Sequence, residues 1–189
     1  MHSNLLHHLT LLVEVQVLQL NLAEVEEPIR NRVADSGLIQ LELSELIKID
    51  CVELDFTNML KEGMVVIEKE FRAKVAELNE CDYAGKGVGL TVNPDAIIPD
   101  WAWMVVSSKL SKAEFVVVGG LESAKAEALR KGIENVDNEA YKDARIIVRG
   151  CDEACGPEGL LLFLNKVRPL VKSIMFGEAC STVPVFKKK

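Results

Sequence analysis

The stretch Phe115-Val116-Val117-Val118-Gly119-Gly120 decides how this chain folds. Four apolar residues run without a polar interruption and end on two glycines. A run of this kind predicts a strand buried on both faces, the habit of parallel sheets. Leu121 to Lys131 follows as a predicted helix, with Gly132 as its stop. The same unit recurs on either side. Lys86 to Val92 is an apolar strand rich in small residues, and Pro99 to Leu110 reads as a helix opened by proline. A short helix is predicted over Asp137 to Tyr141. Arg145 to Val148 is the next strand, Pro157 to Val171 a long apolar helix, Ser173 to Phe176 another strand, and Val183 to Phe186 a last one. Upstream, Leu38 to Leu43 and Cys51 to Phe56 alternate like half-buried strands. Met64 to Ile67 is a short strand, and Glu68 to Leu78 spaces Phe71, Val75 and Leu78 on one helical face. Strands alternating with helices signal right-handed crossover units. The predicted class is therefore α/β: a layered, mainly parallel sheet with helices on both faces and an N-terminal antiparallel portion.

Composition agrees with a packed domain. The chain has 189 residues, 49% hydrophobic and 27% charged, which excludes a disordered or collagen-like chain. The formal charge of −7 lacks the positive field that holds phosphate backbones, so nucleic acid is not an expected partner. The first Lys or Arg is Arg30, so the basic start of a secretory signal is missing. No run approaches the roughly 20 apolar residues needed to span a bilayer. The expected location is the cytoplasm, with no membrane partner and with free thiols rather than disulfides. No linker, repeat or low-complexity tract divides the body. Residues 1–24 read as an N-terminal extension, disordered or from a misassigned start, and 25–189 as a single α/β domain.

Ligands of open α/β sheets bind beyond the carboxyl ends of the strands. There the sequence places Asp95, then Gly119-Gly120, then Cys151 and Cys155, then Glu178 and Cys180. If these loops share one sheet edge, three thiols and two carboxylates converge. Thiolates select zinc, copper(I) or iron–sulfur clusters. Cys151, Cys155 and Cys180 are thus candidate metal ligands, and Asp95, Cys151, Glu178 and Cys180 a candidate cofactor site, with an iron–sulfur cluster or zinc as the cofactor. No Cys-x-x-Cys pair is present, so a zinc ribbon does not fit. The opposing reading is that buried cysteines are small hydrophobes. A cysteine nucleophile, with Cys180 the best placed, would need a base, most often His. The only histidines, His2, His7 and His8, precede the body, which counts against that chemistry.

Weaker signals remain. Gly85-x-Gly87-x-Gly89 imitates a dinucleotide fingerprint, but it enters a strand instead of leaving one, so these are sheet glycines. Gly119-Gly120 can make a turn or cradle an anion at the following helix start. Trp101 and Trp103, two apart on a helix, should face different sides, one in the core and one at the strand-end edge or an oligomer contact. Cys51 and Cys81 are read as structural.

Three stretches carry a resemblance: Val33-Ala34-x-Ser36-Gly37-Leu38, then Gly85-Lys86 to Asp95-Ala96-Ile97-Ile98-Pro99-x-Trp101-Ala102, then Lys172-Ser173-Ile174-Met175-Phe176-Gly177-Glu178-x-Cys180-Ser181-Thr182-Val183-Pro184-Val185-Phe186-Lys187. From about residue 26 to the end, the chain resembles an uncharacterised bacterial family, domain of unknown function 2480. The resemblance implies a small cytoplasmic α/β protein with no established activity, whose relatives are often encoded near iron–sulfur assembly genes. It marks Asp95, Pro99, Trp101, Gly150, Cys151, Gly177, Glu178, Cys180, Ser181 and Pro184 as recurrent positions. Cys155 is outside that pattern, which leaves Cys151 and Cys180 as the pair of interest. Three functions stay open: an accessory protein binding a metal or cluster, a non-enzymatic interaction module with a protein partner or a second copy, and a cysteine enzyme.

Overall fold

The computed structural model describes residues 38–149, 156–178 and 181–189. The expectations for residues 1–24, and those for Cys151, Cys155 and Cys180, lie outside the described residues. In chain order the elements are β1 (Leu38–Leu41), a 3-10 turn (Leu43–Leu46), β2 (Cys51–Asp55), a 3-10 turn (Thr57–Met59), α1 (Glu68–Ala76), a 3-10 turn (Glu80–Tyr83), β3 (Gly87–Thr91), α2 (Asp100–Lys109), β4 (Phe115–Val118), α3 (Gly120–Glu134), α4 (Asn138–Tyr141), β5 (Arg145–Val148), α5 (Gly156–Val167), β6 (Ser173–Glu178) and β7 (Ser181–Lys187).

The class is mixed α/β, as the alternation of elements requires. The strands divide between two sheets, however. One has the order β2-β3-β4 and is parallel throughout. The other has the order β1-β5-β6-β7; β5 and β6 are parallel, β6 and β7 antiparallel. The described antiparallel pairing is thus C-terminal, and β2, expected in an N-terminal antiparallel portion, pairs parallel with β3. Connection length explains both. Only two residues separate Glu178 from Ser181, which permits a hairpin alone, whereas the helix-bearing crossover from β2 to β3 permits parallel pairing. Gly177 serves that hairpin with φ of 120°, a conformation that L side chains rarely adopt.

Each sheet has its own apolar core. Leu54, Phe56, Phe71, Val88, Leu90 and Val106 fill the one beside β2-β3-β4. Leu41, Ile146, Val148, Phe163, Val167 and Ile174 belong to the other. Helix α3 touches both sheets. Its start meets β3 so closely that a Cβ on Gly89 would lie 1.8 Å from the Gly120 carbonyl oxygen. Its later residues Leu129 and Ile133 enter the second core.

Some expected boundaries move. Val118 is 58% exposed because β4 is an edge strand, so its apolar run is not covered on both faces. Gly132 does not stop α3; it lies inside the helix, where a Cβ would come within 2.0 Å of the Leu46 carbonyl oxygen. Met64–Ile67 forms no strand, only single bridges from Val65 to Lys61 and Ile97. Pro99 caps α2 from outside it.

Candidate functional site

The carboxyl ends of β1, β5 and β6 meet on one guanidinium. Leu41 accepts a hydrogen bond from the Arg149 backbone N–H at 2.9 Å, which aligns the end of β1 with that of β5. Arg149 follows β5, Glu42 follows β1, and Glu178 ends β6. Arg149 Nη1 lies 3.1 Å from Glu42 Oε1, and Nε lies 3.4 Å from Glu178 Oε2. The Nε is buried and makes no hydrogen bond among the described residues, so the second contact is an ion pair. Each of these side chains is at least one-third exposed, and such pairs contribute about 0–1 kcal/mol. Their interest is positional. Arg149 stands two residues before Cys151, and Glu178 two residues before Cys180.

Asp95 is elsewhere. It follows β3, so it and Glu178 end strands of different sheets and not one common edge. Its surroundings are a chain of local bonds. Asp55 Oδ1 accepts from the Thr57 N–H at 2.8 Å and from Thr57 Oγ1 at 2.5 Å. Both bonds favour the ionised form and hold the Asp55 carboxyl below its usual range, the hydroxyl more than the amide. Thr57 Oγ1 accepts from the Asn93 N–H at 2.8 Å, and Asn93 Oδ1 from the Asp95 N–H at 3.1 Å. The ends of β2 and β3 are thereby tied together through the side chains of Asp55, Thr57 and Asn93. The pattern Asp-x-Thr after a strand is the signal that marks such a turn.

At the Gly119-Gly120 turn a carboxylate of the protein itself meets the helix start. Glu53, on β2, sends its carboxylate to the start of α3. Its Oε2 accepts from the Leu121 N–H at 3.1 Å and its Oε1 from Thr91 Oγ1 at 3.1 Å. A helix start favours negative charge, and the protein supplies its own. Gly87 and Gly89 are sheet glycines chosen for space: a Cβ on Gly87 would lie 2.2 Å from the Phe115 ring.

The tryptophans also differ from expectation. Trp103 meets Phe56 edge-on at 4.9 Å and Trp101 meets Phe71 at 6.0 Å, so both lean on one core. Buried Ala102 between them is small enough to let both rings fold inward. Arg72 covers the outer side of Trp101, 5.5 Å from the ring centre.

Of the two described cysteines, Cys51 is half-buried and its thiol donates to the Ile49 carbonyl at 3.5 Å. Burial, with Asp50 nearby, pushes that thiol up. Cys81 is exposed. Among the described residues no group of three His, Cys, Asp or Glu could hold a metal ion. An apolar groove of about 260 Å³ lies between α5 and the sheet, lined by Val148, Leu161, Phe163, Met175, Phe176 and Val185, among others. Among the described residues no helix is long and apolar enough to cross a membrane.

Comparison with curated proteins and with solved structures finds no match. A family match covers residues 27–188, nearly the whole chain, and its description is a protein of unknown function. The chain with this paired-sheet fold and this arginine-linked strand edge belongs to the family DUF2480.

Proposed function

We propose that the chain is an accessory protein that binds a soft transition metal or an iron–sulfur cluster at the carboxyl ends of β5 and β6, through Cys151 and Cys180. The supporting observation is the Arg149–Glu178 ion pair. It joins the two strands just before each cysteine. Neighbouring strands run about 4.8 Å apart, and each thiol is two residues beyond its anchored stem. A shared ion would require the two sulfurs within about 4 Å of each other, at metal–sulfur bonds near 2.3 Å. A cationic guanidinium beside the two loops suits a centre carrying thiolate charge. Cys155, four residues after Cys151 in the sequence, is the candidate third ligand; Glu178 is engaged with Arg149, and Asp95 follows a strand of the other sheet. The test is metal and acid-labile sulfide analysis of anaerobically purified protein, with Cys151→Ser and Cys180→Ser alongside. Stoichiometric metal that both variants lose supports the site. A colourless, metal-free protein indistinguishable from its variants overturns it.

A second reading, a protein-interaction module, is favoured by the apolar groove. Leu161 is 59% exposed and Val185 50% exposed on its rim. Apolar surface of this kind marks contact sites. An apolar dye bound by the native protein and released by Leu161→Glu and Val185→Glu supports it. Native protein that binds no dye and runs as a monomer opposes it.

A further inference from the structure

Away from the β5–β6 edge, the segments that enter β3 and β4 carry a thiol and an amine in contact. Lys112 Nζ donates to Cys81 Sγ at 3.4 Å, across 31 residues of sequence. The contact is built, not incidental. Cys81 sits in the 3-10 turn Glu80–Tyr83, where Asn79 Oδ1 accepts from the Cys81 N–H at 3.3 Å and Asn79 Nδ2 donates to Asp82 Oδ1 at 2.9 Å. The Lys112 carbonyl accepts from the Gly85 N–H at 2.9 Å, and the Lys86 carbonyl from the Glu114 N–H at 2.9 Å. Glu80 completes the cluster. Its Oε1 lies 3.1 Å from Lys112 Nζ, and its Oε2 accepts from Ser111 Oγ at 3.0 Å. Two backbone bonds and two side-chain contacts thus hold the amine over an exposed sulfur.

We propose that Cys81 and Lys112 form a reversible covalent crosslink when the protein meets hydrogen peroxide. In the first step the thiol and one peroxide give a sulfenic acid and one water; sulfur loses two electrons and peroxide gains them. In the second the sulfur–oxygen bond breaks and a sulfur–nitrogen bond forms. The hydroxyl leaves as water, carrying one proton from the Lys112 ammonium, and Glu80 takes the other released proton. No further oxidant is required. The product is a sulfenamide that staples the segment before β3 to the segment before β4, and a thiol reductant reverses it.

Peptide mapping by mass spectrometry of the full chain after hydrogen peroxide treatment tests this. A linked pair containing Cys81 and Lys112 is expected, lighter by two hydrogens than the two peptides together, absent from Cys81→Ser and Lys112→Arg, and lost on adding dithiothreitol. The Arg variant keeps the charge but removes the amine, so its Cys81 sulfenic acid should persist and label more strongly with dimedone than the wild type. The crosslinked chain should unfold at higher urea than the reduced chain. Cys81 recovered as sulfinic acid beside an unmodified Lys112, or equal dimedone labelling of the wild type and Lys112→Arg, overturns the proposal.

Discussion

Replacing Gly89 with alanine should force helix α3 away from its sheet. The new Cβ would sit 1.8 Å from the Gly120 carbonyl oxygen and 2.3 Å from its carbon, where real Cβ atoms keep beyond 3.0 Å. Neither atom can yield cheaply, because both are backbone. The start of α3 must retreat by more than 1 Å. Two bonds span that gap: the Gly119 N–H to the Leu90 carbonyl at 3.0 Å, and the Leu121 N–H to Glu53 at 3.1 Å. Losing them costs about 1 kcal/mol each, and overpacking adds about 1–3 kcal/mol. Alanine returns about 0.5–1 kcal/mol through lower backbone entropy in the unfolded chain. The net loss is about 2–4 kcal/mol, a large share of the roughly 5–15 kcal/mol that holds a domain together. Urea unfolding followed by circular dichroism should show a lower midpoint with unchanged slope. Gly85→Ala separates space from conformation. Its site has φ of 69° and nothing within 4 Å, so it should lose only about 1–2 kcal/mol by strain. A Gly89→Ala protein that unfolds at the wild-type midpoint would refute the close-packing argument.

Three further outcomes follow from the same contacts. Glu53→Ala should destabilise by about 1–2 kcal/mol and Glu53→Gln by less, since glutamine keeps an acceptor but loses the charge that favours a helix start; equal losses in thermal unfolding would remove the electrostatic part. Asp55 titrates below the usual carboxylate range, so its contribution to stability is present above that range and is lost as pH falls through the depressed value. Thr57→Val should move the Asp55 carboxyl titration upward in NMR, and an unmoved titration would show that the hydroxyl is not the cause. Phe56→Leu and Trp103→Leu should couple by about 0.5–1.5 kcal/mol in a double-mutant cycle, the range for edge-on aromatic pairs; strict additivity of the two would deny the contact any energy of its own.

Much of the element order was legible because it depends on local periodicity. Arg145–Val148 and Phe115–Val118 appear with the predicted bounds, and Asp100–Lys109 and Gly156–Val167 fall within a few residues of them. Strand partnership was not legible. Val118 and Val148 both end apolar runs, yet one is exposed on an edge and the other is buried beside β6. The site shows the same division. Asp95 follows β3, as expected, whereas Glu178 is the last residue of β6, and the two strands belong to separate sheets. Arg149 and Glu42 escaped notice because a charged residue after a strand looks solvated until a neighbouring strand brings it a partner. Glu53, inside β2, escaped because its partners Thr91 and Leu121 are 38 and 68 residues away.

The sequence by itself determined the α/β class, the punctuation by glycine and proline, and the case against histidine-based chemistry, since no histidine follows His8. These are properties of composition and short-range spacing. Tertiary structure decided that two sheets share α3, that Glu53 fills the helix start left open by Gly119-Gly120, that Arg149 joins three strand ends, and that Lys112 lies on Cys81. The physical reason is range. Hydrophobic periodicity acts over a few residues along the chain, whereas ion pairs, close backbone packing and thiol–amine contacts depend on which distant segments pair.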